Sequence, residues 1–364
     1  MRYITEFRDP FLIRKVVEKT NRMVADYRKD IQLMEVCGTH TVAISRSGLR
    51  KLFHPCIKLL SGPGCPVCVT PNHYLDKAIA YSRRKDVILT TFGDMMRVPG
   101  STSSLEKERA GGKDIRVVYS ALDALEIAKE NTVKKVIFLG IGFETTAPTI
   151  SATIKQAEKN RLKNFFVYSG HKLIPPAMEA LLKDREVSID GFICPGHVST
   201  IIGALPYEFI PHQYNIPCVI TGFEPLDVAE GIYMLVKQIV EREKPEVQIQ
   251  YKRSVRREGN KKAISFIKEV FEVETSTWRG LGDIPLSGLK IREEYSSFDS
   301  EKNIEVEVEP TKENPGCICG DILRGVKTPL ECELFKKACT PEHPVGACMV
   351  SSEGTCSAYF KYEC

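Results

Sequence analysis

The sequence predicts an α/β fold, with two parallel-sheet βαβ lobes followed by a cysteine-rich C-terminal domain. Three observations carry this expectation. Between about residues 30 and 240, short apolar, β-branched runs alternate with helical patterns, which is how βαβ units and parallel sheets read in a sequence. Nearly every one of those runs ends in a turn of small, polar or thiol-bearing residues. Seven of the 13 cysteines lie at or beyond Cys317.

The chain has 364 residues, room for two or three domains. With 43% hydrophobic and 27% charged residues it has the composition of an ordered globular protein, which excludes general disorder. Lys and Arg number 51 against 47 Asp and Glu, a net charge of +4, and no clustered basic footprint stands out. No nucleic-acid partner is therefore expected. No run approaches the ~18 consecutive apolar residues of a membrane span. The first residues, Met-Arg-Tyr-Ile-Thr-Glu-Phe-Arg-Asp, mix charges of both signs without an apolar signal core. The expectation is a cytoplasmic protein with no membrane partner.

Strands are expected at 31–36, 57–60, 87–91, 115–119, 136–139, 165–168, 191–194 and 219–221, with helices at 74–83, 121–130, 148–159, 175–183 and 225–243. The polar stretch 131–134 reads as the joint, giving a first lobe at 30–131 and a second at 132–243. Two similar four-strand lobes would be a distant internal repeat, although no sequence identity marks one. Residues 244–313 are charged and weakly patterned, with a helix expected at 260–271, a polar loop at 296–303 and an extended piece at 304–308. The tail beyond is too poor in apolar residues to hold a core of its own. A C-terminal domain of 244–364, together with 1–29, is expected to be fixed by a metal centre.

Parallel strands bring their carboxyl ends to one sheet edge, where open α/β folds bind ligands. The turns expected there are Cys37-Gly-Thr-His40, Ser61-Gly-Pro-Gly-Cys65-Pro-Val-Cys68, Phe92-Gly-Asp94-Met-Met-Arg97, Gly142-Phe-Glu144-Thr-Thr146, Ser169-Gly-His171-Lys172, Cys194-Pro-Gly-His197 and Thr221-Gly-Phe-Glu224. One such turn need be no more than a βα connection and a helix cap. Seven that carry Cys, His, Asp, Glu and Lys point to a functional cleft. Cys65 and Cys68 form a C-x-x-C after a strand, either a thioredoxin-type redox pair or half of a metal site. With Cys37 and His40 they make either a metal-docking point or a dithiol with a partner thiol. Asp94 and Glu144, in uncharged Gly-rich turns, suit acid–base or ligand-orienting roles, with helix capping as the alternative. Cys56, Cys194 and Cys218 read as packing residues, and His54, His73 and His212 belong to no constellation.

The C-terminal set is Cys317-x-Cys319, Cys332, Cys339, Cys348, Cys356 and Cys364. Iron–sulfur clusters and structural zinc both take four thiolates, but zinc sites usually contain C-x2–4-C pairs, and this set has none. A [4Fe–4S] cluster is the favoured reading, with zinc, or free or disulfide-linked thiols, as alternatives. The surplus cysteines would suit a redox-active dithiol beside the cluster.

Glu-Val-Cys37-Gly-Thr-His, Gly-Pro-Gly-Cys65-Pro-Val-Cys68, Thr-Phe-Gly-Asp94-Met-Met-Arg-Val-Pro-Gly, Gly-Phe-Glu144-Thr-Thr-Ala-Pro, Ser-Gly-His171-Lys and Cys194-Pro-Gly-His197-Val-Ser together resemble the hydrogenase maturation factor HypD family. So does the ending, Gly-Ala-Cys348-Met-Val-Ser-Ser-Glu-Gly-Thr-Cys356. The resemblance runs in order from about residue 30 to the C-terminus. It implies a metallocofactor assembly factor more than a stand-alone enzyme. With a HypC-like chaperone, and taking cyanide from a HypE-like partner, such a protein would scaffold and redox-support the Fe(CN)2CO unit of [NiFe] hydrogenases. The resemblance also implies one [4Fe–4S] cluster in the C-terminal domain.

Carried onto this chain, Cys37 would share the iron with a HypC cysteine, and Cys65 and Cys68 would be a nearby redox pair or additional iron ligands. The cluster region is similar to that of ferredoxin:thioredoxin reductase. On that likeness Cys317, Cys332, Cys339 and Cys356 would hold the cluster, and Cys319 and Cys348 would be the adjacent dithiol. Electrons would then pass from the cluster to Cys319/Cys348, to Cys65/Cys68 and to iron at Cys37. His40, His171 and His197 would hydrogen-bond the cyanides or move protons, or simply stabilise their turns. The alternative function is an iron–sulfur-driven thiol–disulfide oxidoreductase acting on protein disulfides, whose activity would survive loss of Cys37. A binding module with a structural zinc is a third.

Overall fold

The eight runs of the alternating region are strands: β1 (Ile31–Glu35), β2 (Ile57–Ser61), β3 (Val87–Thr91), β4 (Ile115–Val117), β5 (Lys135–Gly140), β6 (Phe165–Ser169), β7 (Gly191–Cys194) and β8 (Cys218–Ile220). The structure is a computed structural model that describes residues 5–27 and 29–363. The central strands are buried because helices cover both faces; β3 and β7 are buried at every position, whereas β2 at a sheet edge exposes Lys58. A short ninth strand, β9 (Val247–Ile249), was not expected and forms a sheet edge.

Two sheets result, ordered β2-β1-β7-β8-β9 and β4-β3-β5-β6, with every neighbouring pair parallel. This corrects the assignment of strands to sequential lobes at 30–131 and 132–243. β1 pairs with β7, in register from Leu33 opposite Gly191 to Glu35 opposite Ile193. The second sheet, from β3 to β6, is therefore inserted between β2 and β7 of the first. The polar stretch 131–134 is the ordinary short loop between the helix Ala121–Glu130 and β5, both of which belong to the second sheet. Alternation of strand and helix looks the same in either arrangement, so it carries no information on which strands pair. Both sheets nevertheless share one order, second-first-third-fourth. The repeat is one of topology, nested where a tandem one was expected. Each sheet has a switch point, between β1 and β7 in the first and between β3 and β5 in the second.

The helix Pro10–Val24 starts at a proline and is capped by Asp9, whose carboxylate accepts the Phe11 N–H at 2.8 Å. Its buried Val17 and Val24 share a core with Ile232 and Leu235 of the helix Pro225–Val240. The described part of 1–29 thus packs mainly on the first sheet, and Phe7 also stacks under the Arg253 guanidinium, 4.1 Å from its ring centroid.

The helix Lys261–Val270, capped by Asn260, lies where its pattern placed it. The next residues form an antiparallel hairpin, β10 (Phe271–Trp278) and β11 (Gly282–Ile291), with a bulge between Glu274 and Ser276. Only the two ends of β10, Phe271 and Trp278, are buried, and the alternation begun by Phe271 and Val273 breaks off in Thr-Ser-Thr. Residues 296–303 contain short helical turns, Glu293–Phe298 and Ser300–Asn303, and 304–308 forms no strand.

The cysteine-rich tail consists of short helical segments, among them Cys319–Leu323, Ala347–Val350 and Thr355–Tyr362. It lies across the carboxyl ends of the strands of both sheets. The Thr39 hydroxyl donates to Glu353 Oε1 at 2.7 Å, and the Ser351 hydroxyl donates to Asp94 Oδ2 at 2.9 Å. Among the described residues no helix is long and apolar enough to cross a membrane.

Candidate functional site: a thiol row at the sheet edges

Cys37 leaves β1 at the switch point and caps the helix Gly38–Ser47 in extended backbone. Two glycines permit the approach of the neighbouring chain. A Cβ on Gly64 would lie 2.1 Å from the Cys37 nitrogen, and one on Gly38 would lie 2.5 Å from the Glu353 carbonyl oxygen. The Gly38 N–H donates to Gly64 O at 3.0 Å. The turns that carry Cys37 and Cys65 are therefore pressed together backbone to backbone.

Burial, then the carboxylates of Glu353 and Glu35, push the Cys37 thiol up to about 12, while the His40 and Thr39 backbone N–H groups act the other way. The Cys37 thiolate forms readily only when a positive partner such as a metal ion supplies the missing charge. Glu35 was passed over in the sequence because it ends an apolar strand. Its carboxylate accepts the Thr41 hydroxyl at 2.5 Å and the Cys37 N–H at 3.2 Å. Burial holds its carboxyl up at about 7, against the donors Thr41 and Cys37. A carboxylate in a strand covered on both faces was the signal available.

His40 is buried beside this turn. Its Nε2 stands 2.9 Å from Gly222 O and 2.8 Å from Thr221 Oγ1. A carbonyl only accepts, so Nε2 carries the proton and Nδ1, which is buried without a partner, is the lone-pair nitrogen. Burial lowers the imidazole to about 4, leaving it neutral at physiological pH. His40 and His197 both stack on Phe223, with centroids 4.7 and 4.0 Å away.

Cys65 caps the short helix Pro66–Val69, its sulfur accepting the Cys68 N–H at 3.3 Å. The Cys65 and Cys68 sulfurs are 2.7 Å apart. The Cys68 thiol lies 3.9 Å from the carbonyl of Ala347, the residue before Cys348, and the Cys68 and Cys348 thiols perturb each other. Cys348 in turn lies 2.6 Å, sulfur to sulfur, from Cys319, which lines the same cavity as Cys317. Five thiols thus form one row from the sheet edge into the tail. The Arg279 guanidinium fixes the junction, donating to the carbonyls of Cys68 and Thr70 at 3.1 and 2.7 Å.

Cys317, Cys319, Cys332, Cys339, Cys348 and Cys356 line one small cavity whose other walls are the apolar side chains of Ile322, Leu334, Phe335 and Met349. Gly346 belongs to the same wall, and a Cβ there would lie 2.6 Å from the Cys317 sulfur. Several thiols, apolar walls and no oxygen ligand make a donor set that fits an iron–sulfur cluster, for which four thiolates suffice. Among the described residues no three His, Cys, Asp or Glu side chains converge to hold a single metal ion. Cys37 does not belong to this set; its charged neighbours are Glu353 and Glu35.

Of the other sequence candidates, Asp94 anchors the tail through Ser351. Glu144 ties the turn after β5 to the helix Ile174–Lys183, with Oε1 accepting the Ile174 N–H at 3.0 Å and Oε2 buried without a partner. Burial holds its carboxyl up at about 7. Cys194 and Cys218 are core residues, Cys56 is half-buried beside His54, and Cys364 lies outside the described residues.

The HypD family model, described as "Hydrogenase formation hypA family", matches residues 11–363. A hydrogenase maturation factor HypD2 of Bradyrhizobium diazoefficiens is 47% identical over 370 residues, covering 100% of this chain and 97% of that protein. The hydrogenase maturation factor HypD of Rhizobium leguminosarum bv. viciae is 46% identical over 370 residues, with 100% and 96% covered. The hydrogenase expression/formation protein HupD of Azotobacter chroococcum is 47% identical over 369 residues, with 100% and 97% covered. Matched over nearly its whole length by the family and at this identity by full-length relatives, the chain belongs to the HypD family.

Proposed function

We propose that the protein is a metallocofactor assembly factor in hydrogenase maturation. On this reading it builds the Fe(CN)2CO unit of [NiFe] hydrogenases on an iron shared between Cys37 and a cysteine of a HypC-like chaperone. Cyanide comes from a HypE-like partner, and the iron with its ligands is the substrate. The observation that supports this most is the thiol row, a route for reducing equivalents from the tail to the turn that abuts Cys37.

The exchange along the row balances. The Cys348 thiolate attacks the Cys68 sulfur of a Cys65–Cys68 disulfide. A Cys348–Cys68 bond forms as the Cys65–Cys68 bond breaks, and Cys65 leaves as thiolate and takes up the proton Cys348 gave. Cys319 then attacks Cys348 and releases Cys68. Two electrons have moved; the tail pair is oxidised and Cys65/Cys68 is a dithiol. When bound by Cys317, Cys332, Cys339 and Cys356, a [4Fe–4S] cluster supplies the electrons that reduce the tail pair again. His40, with its Nε2–H committed to Gly222, offers Nδ1 as a proton acceptor and suits proton movement better than donation to cyanide.

The rival reading, an oxidoreductase for protein disulfides, needs an attacking sulfur that a folded substrate can reach. Cys65, Cys68, Cys319 and Cys348 are all buried, which weighs against it. The test is infrared spectroscopy of the anaerobically purified protein with its small chaperone. Cyanide and CO bands on iron are expected, and Cys37→Ala is expected to lose them. Bands that survive Cys37→Ala refute the assignment. Normal hydrogenase maturation with Cys65→Ser/Cys68→Ser would remove the relay.

A further inference from the structure

The Ser169-Gly-His171-Lys172 turn, after β6, takes no part in the thiol row. Lys172 is only 5% exposed. Lysine is almost never fully buried unless it is paired. Its ammonium donates to the Ser276 hydroxyl, and no carboxylate among the described residues lies within ion-pair reach. An ammonium has three N–H donors, so two are left without a protein acceptor. Burial lowers the amine to about 8, with Glu274 and Asp283 opposing from farther off, so the charged form still prevails at neutral pH. A buried charge is costly until a counter-charge meets it.

A cavity of about 390 Å³ lies beside Lys172, between this turn and the β10–β11 hairpin. Its carboxylates supply the counter-charge only from a distance. Glu301 is ion-paired with Lys77, and Glu274 makes no ion pair. The hairpin is shaped to bring Ser276 in. Gly288, which pairs with Glu274 beside the bulge, has no side chain, and a Cβ there would lie 2.5 Å from the Ser276 Cβ.

His171 lines the same cavity, and its tautomer can be read. The Ser169 hydroxyl donates to Leu289 O at 2.7 Å, so at 3.0 Å from His171 Nδ1 it can only accept, and Nδ1 carries the proton. Nε2 is then a bare lone pair, buried and without a partner. The cavity thus has unsatisfied cationic donors beside it, and the imidazole that lines it holds a buried acceptor that needs an O–H.

We propose that this cavity is a binding site for a small oxyanion that carries its own O–H, of the bicarbonate or hydrogenphosphate kind. Lys172 and Ser276 meet its charged oxygens, and His171 Nε2 accepts its hydroxyl. The site is independent of the thiol chemistry, so its failure would leave the maturation reading untouched.

Titration calorimetry of the full chain with inorganic phosphate, bicarbonate and sulfate tests it near neutral pH, with ionic strength held by chloride. Saturable binding of phosphate or bicarbonate at one site per chain is expected, and the tighter of the two identifies the source. Sulfate has no O–H at that pH and is expected to bind roughly tenfold more weakly or less. Lys172→Met exchanges the ammonium for an apolar chain of similar length, and is expected to stay folded and lose binding. Ser276→Ala is expected to weaken binding several-fold, and it decides the matter if Lys172→Met does not fold. No saturable binding of either anion, sulfate binding as well as both, or binding unchanged in the variants overturns the site.

Discussion

Glu144→Gln isolates the cost of a buried carboxylate. Glu144 is 3% exposed, has one backbone donor at Oε1 and none at Oε2, and burial raises its carboxyl from 4.5 to about 7. A carboxyl whose folded pKa lies above its unfolded one holds more protons folded than unfolded between the two values. Stability therefore falls as pH rises from about 4.5 to about 7 and stays lower above that. Below the window the protonated acid and the amide are near-isosteres, so wild type and variant are expected to be equally stable. Above it the variant escapes the cost of ionisation. A shift of roughly 2.5 units at 1.36 kcal/mol each amounts to about 3 kcal/mol in its favour. The assay is guanidinium unfolding followed by circular dichroism at a series of pH values. Taking the difference between variant and wild type cancels groups distant from Glu144. A difference that does not change with pH would refute the view that Glu144 ionises in a desolvated site.

Three further outcomes are expected. His40 is held neutral by burial, its imidazole lowered to about 4, so unfolding takes up a proton as pH falls from about 6.5 towards that value, and stability is lost in that direction. His40→Gln should flatten the slope of stability against pH there by about one proton, and an unchanged slope counts against a neutral His40. Gly64→Ala, with its new Cβ 2.1 Å from the Cys37 nitrogen, should cost about 3 kcal/mol or more, whereas Gly93→Ala meets only Val117 at 3.7 Å and should stay within about 1 kcal/mol in thermal melts. In Cys65→Ser/Cys319→Ser, mild oxidation should join Cys68 to Cys348, detectable by peptide mass mapping; failure to form that bond breaks the row.

How far the sequence reached depended on whether a signal was local. Val87–Thr91, Gly191–Cys194 and the helix Ala121–Glu130 are legible to the residue, because β-branched runs, capping residues and period all change at their ends. Pairing is not local. Nothing in Ile31–Glu35 says that its second neighbour lies beyond residue 190, and the three-residue β9 has too little pattern to register. The hairpin β10–β11 escaped for another reason. Its polar faces meet solvent and the Lys172 cavity, so the alternation begun at Phe271 and Val273 is too short to mark a strand. In the site, the close pair Cys65/Cys68 is visible as spacing. That Cys319 stands sulfur to sulfur with Cys348, 29 positions away, is set by the tail's path around the cavity. Glu35 and the orphaned nitrogens of His40 and His171 acquire meaning only once burial is known.

The nesting of one sheet within the other sets an order of events during synthesis. The second sheet occupies one uninterrupted stretch, 87–169, and its strands can pair as soon as that stretch has left the ribosome. β1 has no such freedom. It waits for β7, and the bond from the Gln32 N–H to Asp190 spans 158 positions. The turn bearing Cys37 is sealed later still, when Glu353 arrives. A chain stalled or clipped anywhere before that point holds its earliest thiol in an unfinished pocket. Closure of the pocket around Cys37 is thereby tied to a residue made 314 positions after Thr39.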